Sequence, residues 1–202
     1  MFTGIIENQA VLERKSRNGS EGKFRFRILG PSRHFRRGES VALDGVCLTV
    51  SNFRGKGFSV DLLPETLQST TLGGLSVGER VNVERELRLG DGMGGHWVMG
   101  HVDGVGTLQR IERRKDSFRL QIQASLDIMR RLVRKGSVAV DGISFTLQEV
   151  RKRSFVIGVT PHTFRVAALQ WKRPGDQVNL EVDLMARLVE HFLSKRIKKD
   201  KA

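Results

Sequence analysis

The segment SVALDGVCLTV at residues 40–50 occurs a second time as SVAVDGISFTL at residues 137–147, and this repetition decides the fold. Six of the eleven positions are identical: Ser, Val, Ala, Asp, Gly and Thr. In both copies a run rich in β-branched residues ends at an Asp-Gly pair, which is a strong turn signal. Each copy therefore predicts a β-strand followed by a tight turn.

Three further blocks repeat in the same order at nearly the same offset. FSVDLLPETLQSTTL (58–72) aligns with FVIGVTPHTFRVAAL (155–169), VGERVNVERE (77–86) with PGDQVNLEVD (174–183), and FTGIIENQAVL (2–12) with VMGHVDGVGTL (98–108). Four blocks in constant order indicate an internal duplication, so the chain consists of two related halves.

Each half has the pattern of a small β domain. FRFRIL (24–29) and FRLQIQ (118–123) alternate as half-buried strands do, and LDIMRRLVRK (126–135) predicts a short helical piece. About six short strands with tight turns favour a closed Greek-key barrel. We therefore predict an all-β protein of two tandem, internally homologous six-stranded Greek-key β-barrels plus a C-terminal α-helix. The glycine-rich LGDGMGG (89–95) is the expected connection, which gives domains at 1–95, 96–183 and 184–202.

The segment after Asp183 belongs to neither repeat and predicts the C-terminal helix. Its apolar residues, at helical spacing, are Leu184, Met185, Leu188, Val189, Phe192 and Leu193. A helix with such a stripe needs a surface to pack against. Packing on the protein's own barrel and self-association through the helix both satisfy this requirement, and the sequence leaves both open.

Composition limits the functional classes. The 202 residues contain one cysteine, Cys47, which excludes an intrachain disulfide and favours a reducing, cytoplasmic location. No apolar run approaches the ~18 residues that a membrane span requires, and the N-terminus lacks a secretory signal pattern. The net charge of +13 permits weak polyanion binding. Because no helix-turn-helix, zinc-finger or RNP1 motif accompanies the charge, a solvated basic surface is favoured over specific nucleic-acid binding.

The repeated block carries polar residues at alternate positions. Cys47 and Thr49 in the first copy correspond to Ser144 and Thr146 in the second, and residues two apart on a strand share a face. Such a face is either part of the core or the lining of a pocket. The histidines of GGHxxxxGH are spaced unsuitably for chelation, so no metal site is predicted. The glycines at 90–95 do not form a GxGxxG nucleotide loop.

Together these motifs resemble the riboflavin synthase family, α-chain type. The resemblance rests on MFTGII, SVALDGVCLTV, PETL, VNVERE and GGHWVMGHVDG, and it extends from residue 1 to about residue 195. It implies the dismutation of two 6,7-dimethyl-8-ribityllumazine molecules to riboflavin and 5-amino-6-ribitylamino-uracil without metal or cofactor. It also implies a homotrimer held by the C-terminal helix, with active sites between subunits. Lumazine synthase is a candidate partner, and the sequence leaves that association open.

The resemblance also implies two substrate pockets. The first comprises Gly4, Ile5, Ile6, Cys47, Leu48, Thr49, Asp61, Leu62, Leu63, Pro64, Glu65 and Thr66. The second comprises Gly100, His101, Val102, Lys135, Ser144, Phe145, Thr146, Val159, Thr160, Pro161, His162, Thr163 and Phe164. Positions implied to matter for activity are Phe2, Ser40, Cys47, His96, His101, Ser144, Thr146 and Asp183.

We expect His101, Ser144 and Thr146 to assist deprotonation of the substrate methyl group, and Cys47 and Ser40 to act on the acceptor molecule. The second copy departs from the first where PETL becomes PHTF and TTLG becomes AALQ. These changes could weaken the second pocket, so a non-catalytic lumazine-binding antenna protein is the alternative. A basic RNA-binding barrel is the third.

Overall fold

The computed structural model describes residues 1–31 and 35–199. The first barrel is built from β1 (Asn8–Asn18), β2 (Glu21–Ile28), β3 (Ser40–Leu43), β4 (Val46–Arg54), β5 (Gly57–Leu62) and β6 (Arg80–Arg85). The second is built from β7 (Gly104–Arg113), β8 (Phe118–Gln123), β9 (Ser137–Val140), β10 (Ile143–Val150), β11 (Ser154–Val159) and β12 (Gln177–Val182). The helices are α1 (Pro64–Ser69), α2 (Leu126–Met129), α3 (Pro161–Val166) and α4 (Leu184–Lys199).

Both sheets close into antiparallel barrels. The strand order is β1-β2-β5-β4-β3-β6 in the first barrel, and β7-β8-β11-β10-β9-β12 in the second. In the first barrel β3, β4 and β5 form a meander, and β5 lies beside β2; in the second, β9, β10 and β11 form a meander, and β11 lies beside β8. This is a Greek-key connection. The predicted pair of six-stranded barrels is confirmed.

Each barrel has its own apolar interior. Phe24, Phe26 and Phe58 are fully buried in the first barrel, and Phe155 and Ile157 are fully buried in the second. The strands alternate as predicted, with FRFRI in β2 placing its three apolar residues inward. The filled interiors leave ligand binding to the outer surfaces and the clefts between elements.

A near-symmetric set of hydrogen bonds joins the two barrels. Asn82 Nδ2 donates to the Asp141 carbonyl, and Asn179 Nδ2 donates to the Asp44 carbonyl, both at 2.9 Å. Asp44 in turn accepts the Asn82 amide and Asp141 the Asn179 amide, both at 2.7 Å. All four residues are buried. The repeated Asp-Gly and Val-Asn pairs therefore form the interface between the barrels.

The predicted helical piece over 126–135 is only partly correct. The structure ends α2 at Met129, and the following residues turn toward β9. Lys135 adopts a positive φ of 67°, and its amide donates to the Leu147 carbonyl at 2.8 Å. Val133, which would share a helical face with Met129 if the helix continued, is 61% exposed, whereas Met129 is buried. The chain must reverse here to begin β9, and this tertiary requirement prevents a longer helix.

The C-terminal helix is confirmed as α4, of which the side chains up to Leu193 are described. Its first half is tied to the second barrel by polar contacts: Glu190 pairs with Arg130 and Arg131, and Arg187 pairs with Asp103. Residues 200–202 of the predicted basic tail lie outside the described residues. The domain boundaries at residues 95 and 183 stay predictions about folding units.

Candidate functional site

The polar residues of the repeated block lie on the outer face of each barrel. In β4, Leu48 is buried, whereas Cys47 is half-buried and Thr49 is exposed. In β10, Phe145 is buried, whereas Ser144 is half-buried and Thr146 is exposed. This placement follows from strand alternation, because inward positions are occupied by the cores. The polar pairs therefore lie outside the two cores, and their role as a pocket lining stays a prediction.

Strand β5 pairs with β4, the strand that carries Cys47. Val50 pairs with Val60, and β5 then continues through Asp61 to Leu62. Leu63 is exposed and immediately precedes α1. We call Cys47, Thr49 and the segment from Asp61 to Thr66 the Cys47 site.

The second barrel repeats this arrangement around Ser144. Leu147 of β10 pairs with Ile157 of β11, and β11 leads to Thr160, which is the N-cap of α3. The Thr160 hydroxyl accepts the Thr163 amide at 3.2 Å. We call Ser144, Thr146 and the segment from Val159 to Phe164 the Ser144 site.

The opening segments of the two repeats cross to the opposite barrel. The Gly4 carbonyl accepts the Ser144 amide at 2.9 Å, and the Gly100 carbonyl accepts the Cys47 amide at 2.9 Å. Ile6 packs against the core of the second barrel, and Val102 packs against that of the first.

The structure therefore differs from the expected grouping of pocket residues. Gly4, Ile5 and Ile6 adjoin the Ser144 site, and Gly100, His101 and Val102 adjoin the Cys47 site. The sequence repeat places each opening segment within its own half, but strand order along the chain does not reveal which barrel such a segment contacts.

Glycine is required at both crossing points. Gly4 and Gly100 both have a φ of 78°, which L-residues rarely adopt. A β-carbon at Gly4 would lie 2.6 Å from Ser144 Cβ, and one at Gly100 would lie 2.5 Å from Cys47 Cβ. The absent side chains allow each backbone to touch the strand that carries the polar pair.

Two buried glutamates hold these segments. Glu84 accepts the Thr3 amide at 2.6 Å, the Thr3 hydroxyl at 2.7 Å and the Gly4 amide at 3.0 Å. Glu181 accepts the amides of Met99, Gly100 and His101 at 2.7, 2.9 and 3.1 Å. Burial raises the pKa of Glu84 and raises that of Glu181 to about 7, against these hydrogen bonds.

The polar surroundings of Cys47 come from neighbouring strands. The Ser40 hydroxyl hydrogen-bonds to its thiol, and the Ser40 amide donates to Glu86 at 3.2 Å. Burial raises the pKa of the Cys47 thiol, although the Ser40 hydrogen bond opposes this shift. The group is thus a protonated thiol near neutral pH, suited to donating or accepting a hydrogen bond rather than to acting as a ready thiolate.

The Ser144 site includes an imidazole. His96 Nδ1 lies 2.7 Å from Ser144 Oγ, and burial lowers the pKa of His96 while the negative charge of Asp183 opposes that shift. A neutral imidazole in contact with a hydroxyl can accept a proton through it. The structure thus pairs Ser144 with His96, whereas the sequence-based interpretation pairs it with His101, which lies by the Cys47 site.

The remaining predicted residues fall around these two sites. Phe2 is fully buried where the barrels meet, and its backbone pairs with Val98. Lys135 is exposed on the turn before β9. Asp183 caps α4 by accepting the Met185 amide at 2.8 Å. Glu84 and Glu181 were missed as site residues, although the repeated Val-Asn-x-Glu pattern is the signal that could have identified them.

The departures of the second repeat preserve the local backbone. PETL and PHTF both begin six-residue helices with proline in the first turn, and Glu65 and His162 are both exposed. Phe164 stacks on Phe118, with ring centroids 3.8 Å apart. TTLG and AALQ use only backbone amides at the interface between barrels, where Thr71 and Ala168 donate to Asn179 and Asn82. The two sites therefore differ in side chains rather than in framework.

Metal clusters and membrane-spanning helices are both absent from the described part of the chain. Over 1–31 and 35–199, His, Cys, Asp and Glu side chains do not form a group of three or more that could hold a metal ion. None of the helices in the same residues is long and apolar enough to cross a membrane.

Comparisons with known proteins agree with this architecture. The lumazine binding domain model matches residues 3–86 and again residues 99–183. Riboflavin synthase from Bacillus amyloliquefaciens is 36% identical over 195 residues, covering 96% of this chain and 91% of that protein. Riboflavin synthase from Actinobacillus pleuropneumoniae is 36% identical over 196 residues, covering 97% and 91%.

Solved structures share the fold. LumP complexed with 6,7-dimethyl-8-(1'-D-ribityl) lumazine superimposes with a TM-score of 0.80 at 22% identity, covering 90% of this chain and 99% of that one. LumP complexed with riboflavin gives a TM-score of 0.82 at 23% identity with the same coverage. At these identities the likeness concerns the fold alone, whereas the sequence relatives are considerably closer. The duplicated domain and the full-length relatives show that the chain belongs to the riboflavin synthase family.

Proposed function

We propose that this protein catalyses the dismutation of two 6,7-dimethyl-8-ribityllumazine molecules to riboflavin and 5-amino-6-ribitylamino-uracil, the last step of riboflavin biosynthesis. One observation carries the proposal: the chain forms two corresponding sites, around Cys47 and around Ser144, with the same framework and different polar groups. A reaction that consumes two copies of one molecule in different roles needs such a pair.

The different polar groups suggest a division of labour. His96, in contact with Ser144, is the group best placed to take the proton from the acidic methyl group of the donor lumazine. Cys47 and Ser40 form a hydrogen-bonding pair and suit the acceptor lumazine. Holding the two heterocycles together in a reactive orientation supplies the proximity that can contribute ~7–11 kcal/mol to catalysis. No cofactor is required by this scheme.

We infer further that the active unit is a homotrimer whose reactive pair lies between subunits. The exposed apolar stripe on α4, with Phe192 66% and Leu193 55% exposed, supports self-association over packing on the protein's own barrel.

Cytoplasmic location and association with lumazine synthase stay predictions of the sequence. Co-sedimentation of the two purified proteins tests the association.

The function is tested by incubating the purified protein with 6,7-dimethyl-8-ribityllumazine alone, in EDTA, and following riboflavin by absorbance and fluorescence. We expect one mole of riboflavin for every two moles of lumazine consumed. Ser144→Ala should lower turnover at least tenfold, whereas Ser20→Ala, at an exposed turn residue, should leave it unchanged.

A second candidate, a lumazine-binding protein without activity, is favoured by the structural likeness to LumP. Lumazine bound but not consumed, with intact oligomer and fold, would support this candidate and contradict the dismutation.

A further inference from the structure

Each glutamate that holds an opening segment belongs to one barrel and serves the other. Glu84 lies on β6 of the first barrel, but the Thr3–Gly4 backbone that it binds contacts Ser144 of the second. Glu181 lies on β12 of the second barrel, but the Met99–His101 backbone that it binds contacts Cys47 of the first.

We propose that Glu84 and Glu181 are positioning residues, each for the site on the opposite barrel. Glu84 shapes the Ser144 site, and Glu181 shapes the Cys47 site. That the ligand is lumazine rests on the proposed function, whereas the hydrogen-bond geometry does not depend on it. Each glutamate acts on the site of the opposite barrel only through the backbone segment to which it is hydrogen-bonded.

The hydrogen-bond geometry supports positioning rather than simple filling of space. Both carboxylates are almost fully buried, and each accepts three hydrogen bonds from one short segment. Successive N–H groups that converge on one acceptor fix the orientation of their peptide planes. The carbonyl of Gly4 or Gly100 is thereby aimed at the amide of Ser144 or Cys47.

The surroundings of these amides make the carboxylates hard to replace. The segments cross the interface between barrels beside a small apolar cluster, whose buried members are Phe2, Ala42, Val98 and Ala139. Loss of the carboxylate would leave two or three N–H groups unsatisfied, and the segment would move to reach other acceptors. An isosteric glutamine retains the volume but presents an NH₂ group to at least one amide, so Glu→Gln is the informative change.

The experiment uses the thiol as a site-specific reporter. Cys47 is the only cysteine of the chain, so protection from iodoacetamide by lumazine reports on the Cys47 site. The double variant Cys47→Ala/Ser144→Cys moves the single thiol to the Ser144 site. We expect Glu181→Gln to raise the half-protecting lumazine concentration at least tenfold at the Cys47 site and less than twofold at the Ser144 site. Glu84→Gln should give the reverse pattern.

Two controls keep the result interpretable. Glu112→Gln removes a carboxylate that pairs with Arg110 and Arg114 on the surface of β7, and it should change neither protection. If Glu84→Gln does not fold, Thr3→Val leaves the carboxylate in place, removes the hydroxyl bond to Glu84 and the bond from the Ile5 amide to that hydroxyl, and should weaken protection at the Ser144 site alone.

Equal effects of each glutamate on both sites, or effects confined to its own barrel, would overturn the proposal. A separate readout distinguishes this failure from failure of the proposed function. If the unmodified protein shows no lumazine protection, the function fails, but amide hydrogen exchange still tests positioning. Glu181→Gln should then accelerate exchange at residues 99–101 and at Cys47, and not at residues 3–4 or Ser144.

Discussion

Gly45 and Gly142 meet backbone to backbone at the interface between the barrels, at the turns of the two repeated blocks. A β-carbon built on Gly45 would lie 2.6 Å from the Gly142 nitrogen, and one built on Gly142 would lie 2.6 Å from the Gly45 nitrogen. Their φ angles are 76° and 77°. The Asp-Gly pair that first signalled the repeat is therefore required twice over, by turn conformation and by the contact between halves.

Gly45→Ala should destabilise the protein by more than its backbone strain alone, which is of order 1 kcal/mol. We expect a total loss of at least about 2 kcal/mol in urea unfolding followed by tryptophan fluorescence, because the two barrels must also separate. Gly55→Ala is the matched control, since Gly55 has a φ of 63° and nothing within 4 Å of an added β-carbon. Equal losses in the two variants would show that the contact contributes nothing.

Activity should fall in acid because of His96. Burial lowers its pKa below the usual 6.5, so the imidazole becomes charged only as the pH falls beneath that value. Riboflavin formation should therefore decline as the pH falls below about 6.5, provided that the neutral imidazole takes the proton. His96→Gln should lower the rate at least tenfold and remove this decline. A variant that keeps the wild-type profile would assign the proton transfer to another group.

The two-barrel architecture could be predicted from the sequence, because the duplication, the strand alternation and the turn residues all indicate the same fold. It was insufficient for the contacts between halves. That Gly4 meets Ser144 rather than Cys47 depends on how two barrels pack, and no local pattern encodes it. The contact between His96 and Ser144 was missed for the same reason, because a spacing of 48 residues carries no geometric information.

The length of α2 shows that a local pattern can also predict more structure than the fold allows. Its apolar spacing continues to Val133, yet the helix stops at Met129 because the chain must turn to start β9. Local periodicity therefore indicates a preference for helix after Met129, but the tertiary requirement to close the barrel prevents the helix from continuing.

The stability of the protein should depend on pH through Glu181. Burial raises its pKa from 4.5 to about 7, so the folded state binds this proton more tightly than the unfolded state does. The resulting stabilisation is present below pH 4.5 and is lost as the pH rises through about 7. The shift corresponds to about 3 kcal/mol.

Between about pH 5 and about pH 8.5, the wild type should therefore lose up to about 3 kcal/mol relative to Glu181→Gln, which cannot ionise. Urea unfolding at the two pH values measures this difference directly. Glu21→Gln, at an exposed hairpin position, should track the wild type at both. A constant difference between wild type and Glu181→Gln would mean that the three amide hydrogen bonds keep the carboxylate charged throughout.

The oligomeric state should depend on the apolar stripe of α4. Met185, Val189 and Phe192 are each more than half exposed, whereas Glu190 of the same helix holds Arg130 and Arg131 of the second barrel. The helix is thus fixed to the second barrel by polar contacts, and its exposed apolar residues are available for the self-association proposed above.

Phe192→Asp should convert the predicted trimer to monomers in size-exclusion chromatography with light scattering, because a charge at the centre of an apolar interface is not compensated. Turnover should fall with the trimer if the reactive pair lies between subunits, while lumazine protection of Cys47 persists. Val77→Asp places the same charge at an apolar residue of similar exposure on the first barrel and should alter neither property. An active monomer would place both lumazine molecules within one chain, and the α4 stripe would then need a different partner.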